Sequence, residues 1–178
     1  MMDMNKPYPY RNCSSLFGYS ASVHARSGGI CALCKGGGGR LEFDYWRQLT
    51  VEHLVGQSQG GSMKDIKALV SEFFPDLDVE EAREFAGQVD DRNTVTACHF
   101  CNATTSRMQS PQSMREIIES AGGDRDTTLK NVGDACKQVL RHKKESVKWK
   151  LKSVRQAFDR DVKPDLESRR SIISGCTT

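Results

Sequence analysis

The chain has 178 residues, 37% of them hydrophobic and 28% charged, enough for one domain with a modest core or a small domain with long attachments. No apolar run reaches a membrane-spanning length, and Met1 to Pro7 carries no apolar stretch behind its lysine, so neither a membrane span nor a secretory signal is expected, and a cytoplasmic protein is. With 26 basic and 23 acidic residues the net charge is only +3, so the distribution of charge says more than its sum.

Residues 1–27 begin irregularly and then offer a short helix from Ser15 to Arg26, broken by Gly28-Gly29. Next come Cys31-x-x-Cys34, a glycine run from Gly36 to Gly39, and two candidate strands joined by a tight turn, Arg40 to Tyr45 and Leu49 to Val55. Gly60-Gly61 closes that block. Residues 62–92 differ in character: Ile66, Leu69, Val70 and Phe73 follow helical spacing, Pro75 stops the helix, and Val79 to Ala86 predicts a second. This segment holds nine acidic and four basic residues, a net of −5, and is unsuited to lie against phosphates.

Residues 93–107 carry Cys98-x-x-Cys101 and start a helix near Asn102. From Ser110 onward the pattern is helical, with a Gly-Gly break at 122–123. Its long element, about 127–162, sets Leu140, Val147, Leu151, Val154 and Phe158 on one stripe. Between Lys137 and Arg160 nine Lys/Arg stand against Glu145 and Asp159, a net of +7. Lys143, Lys144, Lys148, Lys152 and Arg155 fall largely off that stripe, and a face of cations is expected to track phosphates.

Seven cysteines are an odd number, which excludes an internal disulfide framework using all of them. Cys13, Cys136 and Cys176 are isolated. The other four form two Cys-x-x-Cys turns, and four thiolates suit a tetrahedral zinc that would staple the two halves of the chain. A redox dithiol is the rival, but no thioredoxin-like context surrounds either pair. Glu52-His53, at the end of an apolar strand, sets a carboxylate for a hard cation beside an imidazole that can act as a base. His24, His99 and His142 read as satisfied or exposed imidazoles, and Trp46 and Trp149 as packing residues before base-stacking ones.

The order Cys-x-x-Cys, strand, Glu-His, Gly-Gly, Asn-x4-Cys-x-x-Cys-Asn resembles the HNH endonuclease family, in its zinc-stapled branch, over residues 28–61 and 93–107. The resemblance implies an α+β fold: a ββα-metal core at 28–107, stapled by a four-cysteine zinc site (Cys31, Cys34, Cys98, Cys101). The acidic helical insert 62–92, the segment 1–27 and a basic helical region at 108–178 would flank that core. It implies Mg²⁺ or Mn²⁺ held by Glu52 and Asn102, with His53 as catalytic base and Asn93 as a catalytic-site positioning residue. The implied reaction is hydrolysis of DNA phosphodiesters to 5′-phosphate and 3′-hydroxyl ends, in a restriction-type or phage/defence setting. Double-stranded DNA is the expected partner, contacted by Lys144, Lys148, Lys152, Arg155 and Arg107, and a homodimer is expected because one centre cuts one strand. Two departures from the family pattern stand out. The insert is long, which leaves the ligands intact as a surface excursion because loop-closure entropy grows slowly; and the nearest cation beyond Asn102 is Arg107. The alternatives are a non-catalytic zinc-ribbon-like nucleic-acid-binding module and a non-specific toxin-type nuclease.

Overall fold

Two antiparallel strands and eight helices make up the described part of the computed structural model, which covers residues 18–37 and 42–175. The expected irregular start with Cys13 and Ser15, the glycines at 38–39, Arg40, Leu41 and Cys176 lie outside those residues. The architecture is mixed helix and sheet. Among the described residues no helix is long and apolar enough to cross a membrane.

The sheet pairs β1 (Leu49–His53) with β2 (Thr94–Cys98) in an unbroken register from Leu49↔Cys98 to His53↔Thr94. This corrects the expected hairpin of 40–45 with 49–55. Phe43–Trp46 is a short helix, α2, in which the Phe43 and Trp46 rings stack at 6.2 Å and Arg47 donates to Asp44 at 2.9 Å. Those are the i,i+3 contacts of a helical turn, and a strand does not make them. The partner of β1 is instead the β-branched run Thr-Val-Thr, 40 residues further on, which suits a pleated, half-buried surface. β1 also ends two residues early, because Leu54 and Val55 leave the ladder to wrap a buried asparagine.

Side chains of alternate residues face opposite ways, so Val51, His53, Thr94 and Thr96 share one face and Thr50, Glu52, Val95 and Ala97 the other. α1 (Gly18–Arg26) lies on the first: Thr96 Oγ1 meets His24 Nδ1 at 3.0 Å and Ser27 Oγ at 2.7 Å, and Arg26 donates to Thr94 Oγ1 at 2.9 Å. α5 (His99–Thr105) starts directly after β2, with Cys98 as its N-cap, and returns across the second face.

Between β1 and β2 the chain forms α3 (Met63–Phe73) and α4 (Val79–Asn93), the latter running well beyond Ala86. Ser62 caps α3, and Asp78 with Glu81 forms a capping box on α4. This segment is no surface excursion. Ile66, Leu69, Val70, Phe74, Phe85, Ala86 and Val89 are buried with Leu54, Val55, residues of α6 (Met114–Glu119) and residues of α7 (Arg125–Ala157) in the larger core. Its acidic residues are mostly on the outer face, so a net charge that reads as surface covers an amphipathic pair of helices.

α7 continues through a π turn (Phe158–Val162) into α8 (Lys163–Gly175). Its buried stripe is Val132, Cys136, Val139, Lys143 and Val147. The expected stripe is corrected: Leu140 is half-buried, while Leu151, Val154 and Phe158 are exposed because the helix leaves the described body after Lys150, whose ammonium donates to Thr104 O on α5. A smaller core of Cys31, Leu33, Ala97, Cys101 and Val147 sits at the far end of the sheet.

Candidate functional site

The two Cys-x-x-Cys turns meet. Sγ atoms of Cys31, Cys34, Cys98 and Cys101 all lie within 4.8 Å of one another, with Cys34 and Cys98 at 3.9 Å. Thiolates around a tetrahedral zinc at about 2.3 Å are separated by about 3.8 Å, so these four can hold a zinc ion with little adjustment. The first turn is shaped for this. Lys35 takes a left-handed conformation (φ 62°) and lets the Gly36 N–H reach Cys34 Sγ at 3.4 Å, while Cys31 N–H donates to Gly36 O at 3.0 Å. Ala32 N–H donates to Thr96 O at 2.8 Å and hangs the turn from the edge of β2. The second turn enters α5, whose N-terminal dipole favours thiolates.

Four thiols packed this closely cannot all ionise without a cation. The hydrogen bond from Cys98 lowers the Cys31 thiol's pKa, while Cys98 is raised by that same bond and by burial, and burial raises Cys101. Tyr45 lies over this cluster. A Cβ on Gly37 (φ 88°) would stand 2.1 Å from its ring, so glycine there is a requirement of both shape and conformation. Burial, then the neighbouring cysteine charges, push the Tyr45 hydroxyl up to about 12, and that buried hydroxyl has no hydrogen-bond partner among the described residues.

Glu52 points to the face of the sheet that carries Thr50, Val95 and Ala97 and is 4% exposed. Its Oε1 accepts from Lys143 Nζ of α7, an ion pair with both side chains buried, and its Oε2 has no partner among the described residues. Burial raises the carboxyl's pKa, opposed by the ammonium. Lys143 therefore does not join a phosphate-tracking face. Asn102, on α5, donates through Nδ2 to Thr50 Oγ1 at 2.9 Å and Val51 O at 3.3 Å, on the strand that carries Glu52. Glu52 and Asn102 are thus brought to one sheet, with α5 and α7 over it.

His53 behaves differently from its neighbour. The ladder runs regularly through it, with no bulge, so alternation directs its ring to the face opposite Glu52. Burial lowers its pKa, against an opposing pull from the carboxylate of Asp90 on α4, and so favours the neutral imidazole.

Asn93, fully buried at the end of α4, is the pivot of the loop beyond β1. Its Oδ1 accepts from Val55 N–H at 2.7 Å, and its Nδ2 donates to Val55 O at 3.1 Å and Gly61 O at 3.0 Å. A Cβ on Gly61 would lie 1.9 Å from Val55 O, so this close wrap also demands glycine there. Cys136 Sγ approaches Asn93 Oδ1 at 3.6 Å, and burial pushes that thiol up to about 12.

Of the expected phosphate-contacting residues, Lys148, Lys152, Arg155 and Arg107 are exposed and Lys144 half-buried. His24 is buried and bonded to Thr96, His99 and His142 are exposed, and Trp149 is exposed with the Lys152 ammonium 5.8 Å from its ring. Sequence reasoning missed Lys143 and Asp90 as neighbours of the Glu-His pair. The signal for Lys143 was present: it falls in the helical series Val132, Cys136, Val139, Val147. No family model, no curated protein and no solved structure matches this chain.

Proposed function

We propose that the chain is a zinc-stapled, divalent-metal-dependent endonuclease of the HNH type acting on double-stranded DNA. The observation that carries this reading is the β1–β2–α5 unit. Strand, strand and helix follow in the order the motif requires, with the cysteine cluster at one end and Glu52 and Asn102 from separate elements at the same sheet. The buried Oε2 of Glu52, without a partner among the described residues, is a hard oxygen donor, and Asn102 keeps its amide oxygen for the same use while its Nδ2 is tied to β1. Glu52 and Asn102 would hold Mg²⁺ or Mn²⁺, which when bound would stabilise charge on the phosphate and on the leaving oxygen. Zinc at Cys31, Cys34, Cys98 and Cys101 would be structural, with all four positions closed by protein.

The chain's own side chains then divide the work. A neutral imidazole at His53 is the form that accepts a proton from water, and its burial favours that form. Because the regular ladder turns His53 and Glu52 to opposite faces, this role requires the strand end to rearrange so that both reach one phosphate. Asn93 holds the loop after His53 by three hydrogen bonds, which fixes the strand end from which the base acts. Lys148, Lys152 and Arg155 on the projecting helix, with Lys144 and Arg107, would contact phosphates without reading bases.

A second reading is favoured by one observation, the Lys143 ammonium already paired with Glu52. On that reading the zinc-stapled body is a non-catalytic nucleic-acid-binding module. Incubation of the zinc-loaded protein with supercoiled plasmid in Mg²⁺ or Mn²⁺ separates the two. Nicking or linearisation that is lost with EDTA and in His53→Ala and Glu52→Ala supports the nuclease. Retained DNA binding with no cleavage in either metal supports the binding module. Discrete fragments against a smear then decide between site-specific and toxin-type cutting.

A further inference from the structure

Beyond Lys150, whose ammonium donates to Thr104 O on α5, the long helix carries an apolar stripe that the described residues of the body leave largely uncovered. Leu151, Val154, Phe158, Val162 and Leu166 are 37%, 50%, 41%, 45% and 48% exposed. In a chain whose other large side chains are mostly buried, five such residues in line are an unpartnered face. The spacing from Val154 to Leu166 is four residues at each step. An α-helix has about 3.6 residues per turn, so such a series would wander round it. The π turn at Phe158–Val162 has a longer repeat and brings the series back into line. The backbone irregularity therefore serves a straight apolar stripe.

We propose that this stripe is a self-association surface, on which a second copy of the chain packs its own helix antiparallel, with the two-fold axis near Phe158. Two observations choose that occupant and that direction. The first is the symmetry of the stripe about Phe158: Val154 and Val162 lie four residues to either side, and Leu151 and Leu166 seven and eight. Turning one helix end for end puts its apolar residues onto those of the other. The second is charge. Residues 148–155 hold Lys148, Lys150, Lys152 and Arg155 and no acid, +4 in all. Residues 159–167 hold Asp159, Asp161, Asp165 and Glu167 against Arg160 and Lys163, giving 2 − 4 = −2. Antiparallel pairing sets each basic half against an acidic half, whereas parallel pairing sets like against like. Lys148, Arg155, Asp159 and Glu167 share one flank of the stripe, and a two-fold brings the same flanks together. Lys148 and Arg155 of one copy then approach Glu167 and Asp159 of the other. Trp149 sits on the opposite side of the helix, so it lies outside the pairing.

Lys148 and Arg155 are also among the residues that would contact phosphates, so pairing and phosphate contact compete at those two positions; the test of the pairing uses neither DNA nor activity. Sedimentation equilibrium of the full, zinc-loaded chain over a wide concentration range should show a monomer–dimer equilibrium. Val154→Glu with Phe158→Glu should give a monomer at every concentration, with an unchanged thermal midpoint of the body and unchanged helical circular dichroism. Trp149→Ala should dimerise as the parent does. Direction is read by charge exchange. Lys148→Glu with Arg155→Glu should weaken dimerisation at least tenfold, and adding Asp159→Lys with Glu167→Lys should restore it. A parent protein that stays monomeric throughout overturns the proposal and leaves the stripe to another occupant. A dimer that survives Val154→Glu with Phe158→Glu overturns the surface, and a dimer indifferent to the first charge exchange overturns the antiparallel direction.

Discussion

The molecule has two cores of unequal means. The helical one gathers fifteen buried residues from α3, α4, α6, α7 and the loop after β1, with Phe74 and Phe85 edge to face at 4.9 Å. The cysteine one has five among the described residues, two of them the candidate ligands Cys31 and Cys101. Apolar burial can hold the first together without help. The second is small among the described residues, and a zinc ion on its four thiols would close it across the chain and carry its stability. One chain thus uses two ways of fixing a fold, and β1–β2 is the seam between them.

The sharpest way to break that contrast is to take away the cysteine centre. Metal analysis of the purified protein should find one zinc per chain. Chelation, or Cys31→Ser, should remove a binding contribution of about 10 kcal/mol or more, the scale of structural zinc in small folds. Hydrogen exchange should then rise to the unfolded rate at residues 30–37 and 94–105, while α3, α4 and the first half of α7 keep their protection. Uniform loss of protection would mean that the two cores form one cooperative unit.

Asn93 stands on the seam, and its removal should be the next largest effect. Asn93→Ala deletes three hydrogen bonds and leaves the Val55 N–H, Val55 O and Gly61 O buried and unpaired. At about 1–3 kcal/mol for each orphaned buried group, partly offset by relaxation, urea unfolding should show a loss of about 3–6 kcal/mol. A loss under about 1 kcal/mol would mean that water enters and replaces the side chain.

Lys143 tests the seam from the other side. Lys143→Met leaves the Glu52 carboxylate buried without its cation, and removing one partner of a buried pair costs about 3–5 kcal/mol. The double variant Glu52→Gln, Lys143→Met should recover most of that loss, since the charge and its counter-charge go together. Simple additivity of the two single losses would show that the pair is not coupled.

Much of this was legible in the sequence, for identifiable reasons. Cys-x-x-Cys spacing is a local constraint that survives any context, so the four cysteines that come together could be named before their geometry was known. The helices of the 62–92 segment were legible from Ile66, Leu69, Val70 and Pro75, because periodicity and a breaker are also local. What failed was non-local. The partner of β1 lies 40 residues away, behind two helices, and Thr94–Cys98 drew notice for its cysteine and not for its β-branched residues. The acidic count of the insert hid the apolar faces of α3 and α4. Lys143 reads in the sequence as one more cation of an exposed, phosphate-tracking face, since charge alone does not say which lysine in a basic run will be drawn inward. Glu52 and Asn102 do reach one sheet, yet the regular ladder parts His53 from Glu52, and only the register reveals that.

The smallest predicted effect concerns pH and the α1 face of the sheet. His24 is buried, bonded to Thr96, and its pKa is lowered because burial disfavours the imidazolium. The unfolded chain therefore binds a proton at this site more readily than the folded one. For a depressed group the contribution to stability is present above the unfolded value, about 6.5, and is lost as pH falls through the folded value. One imidazole sets a limiting slope of about 1.4 kcal/mol per pH unit within that window and nothing above it. His24→Asn offers a carboxamide in place of Nδ1 and removes the titration. Urea unfolding of the zinc-loaded protein at pH 7.5 and at pH 6 should show a smaller acid loss in His24→Asn than in the parent. Equal losses would mean that α1 lifts away from Thr96 on protonation without cost to the rest, which would make the α1 face a third, separately melting region beside the two cores.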